Sequence, residues 1–205
     1  MTVTQTISAP AATSAPPNIQ FRLKPQGTWT YQDWLQFPED GWKYEIINGE
    51  LQIMPPPAVY HQWSSGELFV QMFMFVKQNN LGKVLEAPCG VKLPHQDVPV
   101  EPDIFFVKQE RLEIIQADYV YGAPDLVVEI MSPSNPNYDR KHKFQLYQEN
   151  GVLEYWLVNY WQKYIELFVL RDGVYQLQGK YDLGETISSE QLAGFELVVA
   201  DIFNF

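Results

Sequence analysis

Apolar positions along this chain recur with two periods, and the switches between them mark its elements. Trp42-Lys-Tyr-Glu-Ile-Ile runs into Asn48-Gly49 and then Glu-Leu-Gln-Ile-Met. An Asn-Gly pair between two apolar, β-branched runs predicts a hairpin, which Pro55-Pro56-Pro57 ends. From Tyr60 to Asn80 the period lengthens. Trp63, Leu68, Met72, Phe75 and Val76 are predicted on one helical face, with Asn79-Asn80-Leu-Gly82 as the stop. Lys83 to Leu93 reads as one or two strands around Pro88, and Pro94 to Pro99 as a turn into Pro102-Asp103-Ile-Phe-Phe-Val. Arg111 to Ala123 is mixed, a short helix or a loop.

The run 125–131 then reads as a buried strand, broken by Ser132-Pro133-Ser134-Asn135-Pro136. A helix is predicted from about Asn137 to Asn150, with Phe144 and Tyr147 inward and Gly151 beyond its end. Val152 to Tyr160 is a strand. Lys163 to Leu170 and Val174 to Gln178 form a hairpin across Arg171-Asp172-Gly173, and Gly194 to Phe205 holds a short strand and an aromatic terminus. Near the start, Thr30 with Asp33 is a helix-opening signal. The order is that of an α/β fold. The helix between strands 125–131 and 152–160 is a crossover joining parallel neighbours, and the hairpins make the sheet mixed.

Composition narrows the class. At 205 residues and 46% hydrophobic, the chain suffices for one domain with a sizeable core. Residues 1–26, rich in Thr, Ser, Ala and Pro, are expected to be a disordered tail, leaving 27–205 as a single domain. One cysteine, Cys89, rules out an internal disulfide framework and fits a reducing compartment. With no membrane-spanning stretch and no signal-peptide pattern, a soluble cytoplasmic protein is expected. The formal net charge of -11 argues against loose, charge-driven binding to nucleic acid or anionic membrane.

The chemistry lies between residues 101 and 147. Asp103 and Glu129 are acids on apolar runs, and buried acids are normally paired or bound to metal. Mg²⁺ takes one or two carboxylates and keeps several waters, so this pair suits phosphodiester cleavage. Lys143, on the helix leaving the Glu129 strand, supplies a cation to position water or balance charge on phosphate. It lies one turn before Tyr147, on the same face. More ordinary roles compete. Asp103 reads equally as a strand-entry residue, Glu129 as half of a structural ion pair with Lys143 or Arg140, and Lys143 as a solvated helix residue. Glu45 reads as an exposed strand residue and His61 as a cap. Tyr155, Trp156, Tyr160, Trp161 and Tyr164 suit core or dimer surface better than a base-stacking platform.

Several stretches together resemble a known family: Tyr44-Glu45-Ile-Ile-Asn-Gly49-Glu-Leu, His61, Pro102-Asp103, Pro124-Asp-Leu-Val-Val-Glu129-Ile-Met-Ser132-Pro-Ser, Asp139 with Lys143 and Tyr147, Gly151-Val-Leu-Glu154-Tyr-Trp156 and Leu192-Ala-Gly-Phe-Glu-Leu197. In order and spacing they look like the Uma family of restriction-endonuclease-like proteins, long catalogued as a domain of unknown function within the PD-(D/E)XK nuclease superfamily. The resemblance covers roughly residues 25 to 205. It implies a restriction-endonuclease-like mixed central sheet flanked by helices, with added β-hairpins. It also implies Mg²⁺- or Mn²⁺-dependent hydrolysis of DNA by Asp103, Glu129 and Lys143, with Glu45 completing the metal shell.

The chain departs from the superfamily pattern at Met131, where the lysine of Glu-x-Lys is expected; the resemblance assigns that role to Lys143. His61 matches a family position without a derivable role, and Tyr147 is a further auxiliary residue. A homodimer is expected from the aromatic excess of the carboxy-terminal half and from double-strand cutting. The alternative is a non-catalytic dimeric binding or scaffold protein on a nuclease fold. A nuclease is expected to gather Lys77, Lys83, Lys92, Arg140, Lys141 or Lys143 along one cleft, and a scaffold to scatter them.

Overall fold

The computed structural model describes residues 24–205; the expected tail falls almost wholly outside them. A one-turn helix, α1 (Tyr31–Trp34), opens as Thr30 and Asp33 predict, with the Thr30 amide donating to Asp33 Oδ2 at 2.8 Å. Strands β1 (Lys43–Ile47) and β2 (Glu50–Met54) pair antiparallel. Asn48 and Gly49 make the turn at φ 51° and 73°. Gln26 exchanges side-chain hydrogen bonds with the Leu51 backbone, which fixes the entering chain to this hairpin.

Helix α2 (Val59–Asn79) follows and ends at Asn80, in the left-handed region at φ 52°. Its buried side is Ser64, Ser65, Leu68, Met72 and Val76. Trp63, expected inward, is half exposed and donates to Asn204 Oδ1 at 2.7 Å. The two serines take the place assigned to it because small side chains let the helix approach the sheet closely.

The remaining strands are β3 (Gly82–Glu86), β4 (Val91–Lys92), β5 (Ile104–Lys108), β6 (Val120–Tyr121), β7 (Leu126–Ile130), β8 (Glu154–Asn159), β9 (Tyr164–Arg171), β10 (Val174–Asp182), β11 (Thr186–Ser188) and β12 (Glu196–Val198). The mixed segment after β5 resolves into a 3₁₀ turn, Gln109–Ile114, followed by β6. Six strands form the central sheet in the order β10-β9-β8-β7-β5-β3. Only β7 and β8 are parallel within it, and they flank the predicted crossover. That crossover is one turn of π-helix, Tyr138–Lys143, continuing into α3 (Phe144–Glu149). Gly151 follows at φ 79°.

Alternation along the sheet separates two cores. Leu126, Val128 and Ile130 of β7 face α2 and the carboxy-terminal segment. Val127 and Met131 face the opposite side, with Phe105, Leu146, Tyr147 and Ile47. Glu129 shares that second face, and so does Asp103, two residues before Phe105. No helix among the described residues is long and apolar enough to cross a membrane.

Candidate active site

The register of β5 against β7 brings the first two acids together. Ile104 lies opposite Val128 and Phe105 opposite Val127, so one step further sets Asp103 opposite Glu129. Asp103 Oδ2 accepts from the Ile130 amide at 2.8 Å and lies 3.5 Å from His61 Nε2. Two other elements close over this pair. From the hairpin come Lys43 and Glu45, two residues apart on one strand and so on one face. From the π-turn and α3 come Asp139, Lys143 and Tyr147.

Lys143 is the hub. Its Nζ is 2.8 Å from Glu129 Oε2, 3.6 Å from Glu45 Oε2 and 3.7 Å from Asp139 Oδ1. Its side chain is only 4% exposed, so it is no solvated helix residue. Tyr147 donates to the other Glu129 oxygen at 2.6 Å. Lys43 lies 3.0 Å from Glu45 Oε1 and donates to the Glu101 carbonyl at 2.7 Å. Met131, at the superfamily's lysine position, is buried in the apolar core beside the cluster.

Electrostatics follow from the composition of this cluster. Burial, helped by Asp103 and Asp139, pushes the Glu129 carboxyl up to about 8 against the pull of Lys143. Burial likewise pushes Asp139 up to about 6. Burial would also raise Asp103, but His61, Lys43 and Lys143 outweigh it and hold that carboxyl well below the usual range. Lys143 and Lys43 do the same for Glu45. Burial opposes the Lys143 charge, but Glu129, Glu45 and Asp139 more than restore it. Opposed environments for neighbouring carboxyls are the usual mark of acid–base or metal chemistry.

The donor set fits a hard divalent cation. Glu45, Asp103, Glu129 and Asp139 face two ammoniums, Lys43 and Lys143, which leaves two negative charges when every acid is ionised. One divalent ion matches that deficit. Both Glu45 oxygens are buried among charges, Oε1 3.0 Å from Lys43 and Oε2 3.6 Å from Lys143. Among the described residues no three His, Cys, Asp or Glu side chains converge closely enough to hold a metal. The fit is therefore to an ion that takes one or two carboxylates and keeps its waters, as Mg²⁺ does.

Sequence reasoning missed Lys43 and left Asp139 without a role. The signals were present: Lys43 is two before Glu45 in a strand, and Asp139 is four before Lys143 in a helix. The other nominated cations do not gather here. Lys77 and Lys83 line a pocket with Asn80 and Gln109 near the far end of α2. Lys92 sits over Tyr119 at 4.1 Å and Tyr121 at 5.1 Å. Arg140 is paired with Glu166 at 2.7 Å. Tyr155, Trp156, Tyr160 and Tyr164 are all buried core residues. These four offer no stacking platform, and Trp161 of the same set is half-buried.

A family model described as "Putative restriction endonuclease" matches residues 30–200. No curated protein matches. Among solved structures, one described as "a putative nuclease belonging to DUF820 from Anabaena variabilis" aligns with a TM-score of 0.68 at 18% identity. The alignment covers 85% of this chain and 97% of that one, which is a likeness of fold. The match over residues 30–200 settles the family: this chain belongs to the Uma2 family of restriction-endonuclease-like proteins.

Proposed function

We propose that this protein is a divalent-metal-dependent endonuclease that hydrolyses DNA phosphodiester bonds with Mg²⁺ or Mn²⁺. The observation that carries the reading is Lys143, set 2.8 Å from Glu129 by a helix rather than by the strand, with Asp103 in the adjacent cross-strand position. Asp103 and Glu129 would hold the ion, and Glu45 would face it through one of the waters such an ion keeps. When bound, the metal supplies Lewis-acid stabilisation of the phosphate and a water of lowered pKa. Lys143, kept protonated by its three carboxylates, offers a positioned cation to the attacking water or to the charge developing on phosphate. Tyr147 fixes the orientation of Glu129 by holding one oxygen. His61 does the same for Asp103, which gives that histidine a positioning role.

The test is plasmid cleavage with Mg²⁺, Mn²⁺ or chelator, comparing wild type with Asp103→Asn. Cleavage that needs metal and Asp103 supports the proposal; wild type that cuts nothing in either metal overturns it.

A second reading, a non-catalytic binding or scaffold protein on a nuclease fold, is favoured by one observation. Lys77, Lys83, Lys92 and Arg140 are dispersed rather than gathered along a cleft. On that reading the Lys143 cluster is a structural ion-pair network. Calorimetry separates the two: the nuclease binds Mn²⁺ and loses it in Asp103→Asn, whereas the scaffold shows no metal heat.

A further inference from the structure

Helix α2 carries two apolar faces, and only one is covered by other described residues. Leu68, Met72 and Val76 are buried against the sheet. Directly opposite them on the helix run Val59, Trp63, Gly66, Val70, Phe73 and Lys77, at the alternating spacing of four and three residues that forms a coiled-coil seam. Val59 is 77% exposed and Val70 56%, and Trp63, Phe73 and Lys77 are exposed as well. A helix apolar on both sides is ordinarily buried on both sides. A contiguous exposed apolar stripe of this kind marks an interface.

We propose that this face of α2 packs against the same face of a second copy of the chain, as an antiparallel helix pair about a two-fold axis. The stripe is self-complementary. An axis level with Leu68 sets Trp63 against the partner subunit's Phe73 and Val59 against the partner subunit's Lys77. It also sets Gly66 against the partner subunit's Val70. A Cβ built on Gly66 meets nothing within 4 Å, so a gap stands open where that valine would enter. An isologous contact needs this reciprocity.

Charge selects the same occupant. Two copies, each of net charge -11, repel through most of their surfaces. On α2, however, the only Asp, Glu, Lys or Arg residues are Glu67 and Lys77, which cancel. A bilayer is the poorer occupant, because an acidic chain is repelled by anionic lipid and the stripe lacks the basic flank that membrane-surface helices carry. The seam also differs from the interface expected at the carboxy-terminal aromatics, most of which are buried.

The experiment is light scattering on the full chain at micromolar concentration. The expected mass is twice 23.8 kDa. Val70→Glu places a carboxylate in each half of the seam and is expected to weaken association by about a hundred-fold or more. Gly66→Trp, which fills the gap, should do the same. Val174→Glu, at a residue equally exposed in the β9–β10 turn, should leave the dimer intact. Circular dichroism establishes that the variants fold. Wild type at 23.8 kDa overturns the proposal, as does a dimer that survives both seam variants. A monomer that sediments with vesicles of equal parts phosphatidylcholine and phosphatidylglycerol also overturns it, by assigning the stripe to a bilayer.

Discussion

Replacing Lys143 by methionine keeps most of its volume and removes its charge, so it tests the site in two ways. The ammonium is buried within 4 Å of three carboxylates, Glu129, Glu45 and Asp139. Removing it leaves Lys43, with His61 beside Asp103, to offset four acids. Breaking a buried ion pair by deleting one partner costs about 3–5 kcal/mol. The full cost is expected above pH 8, where Glu129 is ionised, and a smaller cost at pH 6, where a proton on Glu129 replaces the lost cation. Adding Glu129→Gln to Lys143→Met should recover much of the loss, because the pair is then absent rather than broken. Cleavage should behave differently: both variants should fall by about a hundred-fold or more, since neither has the positioned cation. The sequence also allowed Lys143 to be a solvated helix residue, whose loss would leave the fold unharmed, and its burial excludes that role. The assays are urea denaturation at pH 6 and pH 8 and plasmid nicking at one Mg²⁺ concentration. A Lys143→Met protein that loses under about 1 kcal/mol at pH 8 would refute the electrostatic reasoning. One that cuts at the wild-type rate would refute the catalytic assignment.

The raised Glu129 carboxyl predicts the sign of a pH effect: folded protein retains a proton that unfolded protein has released, so stability should fall as pH rises from about 6 to 8, by at most about 1.4 kcal/mol per unit, and Glu129→Gln should flatten the slope. Metal binding ought to expel that proton, so calorimetry in buffers of different ionisation heat should detect roughly one proton released per Mn²⁺ at pH 7; release of none would show that Glu129 is not a ligand. Moving the lysine back to the strand, with Met131→Lys in Lys143→Met, should restore part of the cleavage, and no recovery would show that the two positions do not reach the same space. Gly82→Ala should lower the melting temperature sharply, because a Cβ there would lie 2.0 Å from the Val107 carbonyl oxygen; a shift under about 2 °C would contradict the packing.

Most of the secondary structure was legible because its signals are local. Asn48-Gly49 determines its own turn, Thr30 and Asp33 their own cap, and Leu126–Ile130 reads as buried because both of its faces are covered. What failed depended on tertiary context. Trp63 satisfies the helical period as well as its neighbours do, yet the sheet accepts Ser64 and Ser65 at close approach and turns the indole outward. Asp103, Glu129, Lys143 and Glu45 were nominated by the unusual sight of charge on apolar elements and by family resemblance. Their mutual distances come from the β5–β7 register and the hairpin lying over the sheet, neither of which is local. Lys43 was missed because a lysine at the start of a strand is ordinarily solvated, and only the folding of the hairpin over the site draws it, still 28% exposed, against Glu45 and Glu101.

The π-turn at Tyr138–Lys143 explains how the lysine can leave the strand. Inserting an extra residue into a helical turn rotates every residue beyond it about the helix axis, and such turns recur at functional sites. Here Asp139 and Lys143 stay within reach of one another, at 3.7 Å, while Tyr147 still reaches Glu129. A lysine at 131 would bring a third ammonium to a cluster that already holds two against four carboxylates. Neutralising the remaining deficit with fixed lysines would remove the reason for a divalent ion to bind. With methionine at 131, the deficit of two charges remains, and it is met by protons on Glu129 and Asp139 at low pH or by a metal when one is present. On the proposed nuclease reading, the choice between Met131 and lysine is thus a choice of what balances the buried acids, and methionine there would leave that balance to an exchangeable ion.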